Sequence, residues 1–254
     1  MDISINKADG ILTIGFNRPE KKNAITAAMY QTMADTLQQG ESDPAVRVIM
    51  LVGLPGIFTA GNDLEDFLKN PPQAENSPVA QYMHALSHAS KPVIAAVSGA
   101  AVGIGTTLLP HCDLVYAADD AKFAMPFTQL GLCPEFASSL TIQRLGGYQR
   151  AAEKLMLGEV FKVDEALAMG LVNKVLPQAE LLPYARAQAL KLVALPAASI
   201  RATKQLMKRD QMQINDAMML QEMKSFSAML KAPEAKEAFT AFLEKRRPDF
   251  SRFS

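Results

Sequence analysis

Apolar and polar positions alternate at the start of the chain, with Ile3, Ile5, Ile11, Thr13 and Gly15 spaced around the turn signal Ala8-Asp9-Gly10. Period-two alternation about an Asp-Gly turn predicts a hairpin of two strands. The period then changes. After the break Asn17-Arg18-Pro19-Glu20, the residues Ala27, Tyr30, Met33, Ala34 and Leu37 share one helical face. A helix capped by Thr26 is therefore expected to run to about Gln39, with Gly40 ending it. Val46 to Val52 is a compact β run, and the Pro55-Gly56 turn leads into the small-residue stretch Phe58-Thr59-Ala60-Gly61-Asn62-Asp63-Leu64.

Residues 70 to 78 (NPPQAENSP) are polar and rich in proline, which predicts a mobile loop of the kind that serves as a lid beside a pocket. A helix to about Ala89 follows. Pro92 to Cys112 carries no Asp, Glu, Lys or Arg over about the length a bilayer requires. Its opening β-branched residues and its breaks at Ser98, Gly99, Gly103, Gly105 and Pro110 predict a buried strand, a turn and a buried helix, not a membrane span. Asp113 to Ala117 and Lys122 to Met125 read as two more short strands. From Ser138 helices are expected to dominate, with the final 60 residues helical throughout.

Composition narrows the function classes. The 254 residues hold 26 basic and 26 acidic side chains, so no whole-chain charge attracts nucleic acid or an anionic membrane. The residues from Leu195 onward carry 11 basic and 7 acidic side chains, against 15 and 19 before them, an asymmetry suited to an anionic ligand or a neighbouring subunit. Cys112 and Cys133 lack CxxC spacing, and neither terminus reads as a targeting signal, so a reducing, cytoplasmic location is expected.

No G-x-S-x-G elbow, Walker loop or HExxH is present, and Gly103-Ile104-Gly105 lacks the third glycine of a dinucleotide fingerprint. His84 and His88 are four apart on the expected helix and could share a metal, but a solvated helical pair is the simpler reading, and His111 stands alone. Two glycine-rich turns remain, Thr59 to Asn62 and Gly99 to Gly105, each between a β run and a helix. Backbone N–H groups at such turns either stabilise a developing oxyanion or merely form tight turns in a core. Between Lys122 and Arg144 the only charged residue is Glu135. It is either exposed after Pro134, or buried with a raised pKa and suited to exchanging a proton near neutral pH.

These residues resemble the enoyl-CoA hydratase/isomerase, or crotonase, superfamily over essentially the whole chain. Asn17-Arg18-Pro19-Glu20-Lys21-Lys22-Asn23-Ala24 is similar to its N-R-P-x-x-x-N-A motif and Phe58 to Leu64 to its F-x-x-G-x-D-L. Lys91 to Val97 resembles the strand before its second glycine turn, and Cys112-Asp113 and Gly170-Leu171-Val172 are lesser matches. The resemblance implies an α/β spiral of ββα turns (ClpP-like) over residues 1–194 and a helical region over 195–254 that builds a homotrimer or hexamer.

By the same resemblance an acyl-CoA thioester oxygen would sit between the backbone N–H groups of Asn62 and Ile104. Ala60, Asp63 and Leu64 would lie near CoA, with Phe242 and Lys245 of the same or a neighbouring chain; the alternatives are that Asp63 caps a helix and that Lys245 is a plain surface lysine. Coenzyme A would enter as part of the substrate, with no separate cofactor and no metal. Family hydratases use two glutamates whose positions correspond here to Thr107 and Phe127, neither able to exchange the required proton. Glu135 instead falls where peroxisomal-type Δ3,Δ2-enoyl-CoA isomerases keep a single glutamate. Thr107, Phe127 and Leu132 would border the acyl group, and desolvation by Phe127, Leu132 and Phe136 would strengthen Glu135 as a base. Met29, Met83, Met125 and Met156 are further acyl-pocket candidates, or ordinary core filler. Another crotonase-type reaction, or an acyl-CoA- or RNA-binding scaffold without catalysis, are the competing readings.

Overall fold

The structure is a computed structural model that describes residues 1–69 and 76–253. The chain opens with the expected hairpin, β1 (Ile3–Ala8) and β2 (Ile11–Phe16), paired antiparallel about Asp9-Gly10. β1 is an edge strand, so Ile5 is half exposed while Ile3 is buried.

The helix α1 (Ala27–Ser42) starts at Thr26, whose hydroxyl accepts from the Met29 N–H, and continues through Gly40 to Ser42. The expectation that Gly40 ends the helix is corrected by packing. A β-carbon at Gly40 would lie 2.5 Å from Leu12 Cδ2, so glycine there lets α1 press onto β2. The end of α1 is held instead by buried Lys91, whose Nζ donates to Gly40 O at 2.6 Å and Asp43 O at 2.7 Å. A cation at a helix C-terminus also meets the negative end of the helix dipole.

From β3 the chain repeats one path. β3 (Val48–Val52) and β4 (Ile57–Thr59) precede α2 (Leu64–Lys69) and α3 (Pro78–Ser87). β5 (Val93–Val97) and β6 (Ala100–Val102) precede α4 (Ile104–Thr107). β7 (Leu114–Ala118) and β8 (Lys122–Ala124) precede α5 (Ser138–Gly146) and α6 (Tyr148–Ala152). The first strand of each pair joins a six-stranded sheet, β1-β2-β3-β5-β7-β10, and the second a four-stranded sheet, β4-β6-β8-β9. Within each sheet the repeated strands are parallel, so the chain advances as a spiral of ββα turns. Short β9 (Phe161–Lys162), α7 (Val163–Ala168) and β10 (Lys174–Leu176) complete the sheets.

The near-continuous apolar runs of β3 and β5 follow from burial on both faces. Ile49, Leu51, Val93, Ala95 and Val97 enter the main core, while Val48, Met50, Ile94 and Ala96 face α8 (Gln178–Ala194) through Leu181, Ala185 and Ala189. α9 (Ala197–Met229) and α10 (Pro233–Leu243) follow, and Phe226, Ala235 and Phe239 bring this region into the main core. Residues 244–253 are turns and irregular chain, which corrects the expectation of helix to the end. The Pro92–Cys112 segment folds as β5, β6 and α4, and among the described residues no helix is long and apolar enough to cross a membrane. Of the expected lid, residues 70–75 lie outside the described residues. Ser77 caps α3 by accepting from the Ala80 N–H.

Candidate active site

The segment Arg18 to Ile25 is laced to the strand and turn 57–63. Asn23, fully buried, accepts from the Arg18 N–H at 2.8 Å and donates from Nδ2 to Phe58 O at 3.0 Å and Ile57 O at 3.3 Å. The Thr59 hydroxyl donates to Asn23 O at 2.6 Å and accepts from the Gly61 N–H at 3.1 Å. Ala60 N donates to Lys22 O, Ile25 N to Gly61 O and Asp63 N to Ile25 O. Every N–H along 60–63 therefore has an acceptor except that of Asn62, which has none among the described residues.

Asp63 serves this lacing too. Its Oδ2 accepts from Arg18 Nη1 at 2.7 Å, and its Oδ1 caps α2 by accepting from the N–H groups of Glu65 and Asp66. Burial pushes the Asp63 carboxyl up, but the Arg18 and Asp66 hydrogen bonds outweigh it and leave the carboxyl below its ordinary range.

The second glycine turn lies against the first. A β-carbon on Gly61, at φ +89°, would come 2.9 Å from Val102 O and 4.0 Å from Gly103 N. Gly103 has φ +55° and ψ −119°, a conformation costly for any residue with a β-carbon. Gly103 N donates to Ala124 O at 2.9 Å, tying the turn to β8, and Gly103 O accepts from the N–H groups of Thr106 and Thr107. Ile104, the first residue of α4, has an N–H with no acceptor among the described residues. Two abutting turns thus each leave one backbone donor free, beside a cleft of about 780 Å³.

That cleft is lined by Ala60, Asn62, Asp63, Leu64 and Ile104 together with Phe127, Leu132 and Phe226. Phe242 of α10 also lines it, within its own chain. Lys245, with φ +56° just past α10, is outside the lining; Lys21, Lys22, Arg246 and Arg247 supply the cationic rim instead. None of the four candidate methionines lines the cleft: Met29 and Met125 are core residues, Met83 packs against that core, and Met156 is 61% exposed.

Glu135 is buried, 8% exposed, with an Oε1 that has no hydrogen-bond partner among the described residues. Of the two alternatives open for this carboxyl, the structure gives the buried one. Burial, and secondarily the charge of Glu222, push its pKa up to about 8. Thr107 Oγ1 is likewise buried and unpartnered, and Phe127 is a buried wall of the cleft. Neither Glu135 nor Thr107 belongs to the open lining. Tyr30 on α1 donates its hydroxyl to Asn62 Oδ1. Burial, then Glu135 and Tyr82, hold the Tyr30 pKa well above the phenol range, so it stays a donor.

Among the described residues no group of three or more His, Cys, Asp or Glu side chains converges. His84 and His88 stack with centroids 4.0 Å apart, and His88 Nε2 lies 3.2 Å from Asp216 Oδ2. His111 is buried with its pKa pushed down to about 4, and its Nε2 donates to Phe136 O at 2.8 Å.

The sequence matches the family described as enoyl-CoA hydratase/isomerase over residues 6–252. The chain belongs to the enoyl-CoA hydratase/isomerase family. Among similar proteins, rat enoyl-CoA delta isomerase 2 is 32% identical over 250 residues, covering 96% of this chain and 64% of that protein. The chain spans less than two thirds of that isomerase and of its human counterpart, of which it covers 63%. The Escherichia coli K12 2,3-dehydroadipyl-CoA hydratase is 30% identical, with 98% of each chain covered. The structure of Pseudomonas aeruginosa OdaA superposes with a TM-score of 0.93 at 45% identity, covering 95% of this chain and 98% of that one. The fold is accordingly the crotonase spiral.

Sequence reasoning passed over Tyr30 as a site residue and did not single out Glu222 or the pair Arg246 and Arg247. The dibasic pair carried a signal in the positive tail. Tyr30 and Glu222 carried none, because their partners are 32 and 83–85 residues away.

Proposed function

We propose that the chain is an acyl-CoA-processing enzyme whose reaction is Δ3,Δ2-enoyl-CoA isomerisation. The observation that carries this reading is Glu135, a buried carboxyl with an unpartnered oxygen and a pKa pushed up to about 8. A carboxylate of that basicity exchanges a proton with carbon acids better than an exposed one does. Glu135 removes a C2 proton from a 3-enoyl-CoA. The thioester oxygen takes up the dienolate charge between the Asn62 and Ile104 N–H groups, and Glu135 returns the proton at C4. The product is the conjugated 2-enoyl-CoA. Removing one donor from such a hole typically costs about 2.7 to 4 kcal/mol of transition-state stabilisation.

Hydration needs a second proton-exchanging group to place water across the double bond. The positions that the family resemblance gives to that task hold Thr107 and Phe127, a hydroxyl with far too high a pKa and a hydrocarbon. The CoA portion occupies the cleft between Ala60, Asp63 and Leu64 and the tail, with Phe242 as an apolar contact and Lys245 nearby. Lys21, Lys22 and Arg247 on the rim supply positive charge for its phosphates, Arg246 being paired with Glu237 and Glu244. A homotrimer or hexamer in the cytoplasm, serving fatty acid oxidation, is the setting this reading implies.

The test is ultraviolet detection of conjugated enoyl thioester from trans-3-hexenoyl-CoA, run beside hydration of crotonyl-CoA, with Glu135→Gln as control. Isomerisation lost in the variant, with negligible hydration, supports the reading. Efficient hydration that ignores Glu135 defeats it.

A further inference from the structure

Glu135 is followed by two non-glycine residues in the left-handed region, Phe136 at φ +59° and Ala137 at φ +53°. A residue with a β-carbon is strained in that region and persists there only where surrounding contacts impose it. The contacts converge on the single peptide group between them. Its carbonyl, Phe136 O, accepts from His111 Nε2 at 2.8 Å, and the His111 ring stacks on the Phe136 ring with centroids 3.8 Å apart. Its N–H, on Ala137, donates to Glu222 Oε2 at 2.6 Å. Glu222 Oε1 accepts from the Ser139 N–H at 3.0 Å and from the Ser139 hydroxyl, so one carboxylate fixes both the strained peptide and the first turn of α5.

Glu222 is itself buried, 6% exposed, about two turns before the end of α9. A carboxylate there is costly to desolvate, and a local helix cap does not require it, since a Ser or Asp at the start of α5 would serve. One turn further along α9, Phe226 lines the cleft and meets Phe67 of α2 edge-on at 6.0 Å. The same helix therefore touches both the wall of the cleft and the turn that carries Glu135.

We propose that Glu222 is a positioning residue for the reaction: through the Ala137 and Ser139 N–H groups it holds the strained Phe136–Ala137 peptide that aims Glu135, with His111 gripping the opposite edge of that peptide. The proposal rests on the reading of Glu135 as the base. Glu222 also places a second carboxylate close enough to oppose ionisation of Glu135. Among the described residues the other titratable groups that interact with Glu135 are Tyr30 on α1 and Cys133 on its own loop, and both stay protonated at neutral pH because burial raises them.

The experiment measures kcat and KM for trans-3-hexenoyl-CoA across pH, together with Tm, in the full chain and in Glu135→Gln, Glu222→Gln and Glu222→Gln/Ala137→Gly. Glu222→Gln is expected to lower kcat by roughly ten- to hundredfold with KM within about threefold. Removing the neighbouring charge also moves the acidic limb of the kcat profile to lower pH. Adding Ala137→Gly relieves the left-handed backbone, so Tm recovers while the displaced limb remains; this double variant carries the measurement if Glu222→Gln alone does not fold. A lowered Tm with kcat and the acidic limb unchanged would reduce Glu222 to a structural residue and overturn the proposal. Full activity in Glu135→Gln would instead overturn the assignment of the base, an outcome separate from the first.

Discussion

Tyr30 donates its hydroxyl to the side-chain oxygen of Asn62, so the residue whose backbone N–H has no acceptor among the described residues is anchored to the buried face of α1. The Asn62 backbone is fixed on its other side by its neighbours, Gly61 O accepting from Ile25 N and Asp63 N donating to Ile25 O. The donor is thus oriented before any substrate arrives, which is the condition under which such a group stabilises developing charge. Tyr30→Phe is expected to keep the fold, cost about 0.5–1.5 kcal/mol of stability, and lower kcat more than it changes KM. Parallel denaturation curves and steady-state kinetics would check this. An unchanged kcat would mean that the backbone bridges alone hold Asn62.

The Glu135 pKa of about 8 makes stability depend on pH with a definite sign. The folded state holds this proton more tightly than the unfolded chain, whose glutamate has a pKa near 4.5. The contribution is therefore fully present below about pH 4.5 and is lost as pH rises through about 8. Glu135→Gln removes that loss. The variant is expected to gain Tm over the parent on the alkaline side and to gain least on the acidic side, as read by calorimetry. Its activity moves the opposite way, falling about 10²–10⁴-fold if Glu135 is the base. The parent's kcat should rise with pH up to the Glu135 pKa, since only the deprotonated form accepts the C2 proton.

Lys91 supplies a contrast, because it stands in a family-like motif yet its contacts are all structural. It is buried, 4% exposed, and its ammonium closes the end of α1 against Gly40 O and Asp43 O. Lys91→Met keeps most of the side-chain volume and leaves both carbonyls without that donor. The expected cost is about 1–3 kcal/mol of stability, with kcat and KM unchanged. A variant of normal Tm and impaired kcat would show that Lys91 reaches the site in a way its contacts do not reveal.

The two glycine turns, the isolated Glu135 and the strands β1, β2, β3, β5, β7 and β8 were legible because each is a local pattern: alternation, a glycine-rich break, a carboxyl alone among apolar neighbours. β4, β6, β9 and β10, each two or three residues long, show none. The misreadings arose where one residue's meaning depends on a distant one. Gly40 looks like a helix stop until Leu12 is packed against it. Met156 looks like pocket material until the chain leaves it in solvent. Asp63, by contrast, is open to two readings in the sequence, near CoA or capping a helix, and it does cap α2 while lining the cleft, its other oxygen held by Arg18. Glu222 resembles any charge on a long amphipathic helix, and only the fold brings it to a peptide 85 residues earlier.

Arg246 and Arg247 separate structural from ligand-facing charge on the cleft rim. Arg246 is engaged, with Nη1 2.5 Å and Nη2 3.1 Å from the two oxygens of Glu237, and Nε 2.6 Å from Glu244. Those contacts fasten the tail to α10, beside Phe242. Arg247 also lines the cleft, but its guanidinium has no ion pair among the described residues. A free cation at the mouth of an apolar cleft suits a phosphate and adds a salt-dependent increment to binding. Arg247→Ala is expected to raise KM for an acyl-CoA by about three- to tenfold, with kcat unchanged and the loss shrinking as ionic strength rises. Arg246→Ala should lower Tm as well, since the tail loses its fastening. Equal KM in the parent and Arg247→Ala at low salt would show that the CoA phosphates meet other groups on the rim, with Lys21 and Lys22 the next to substitute.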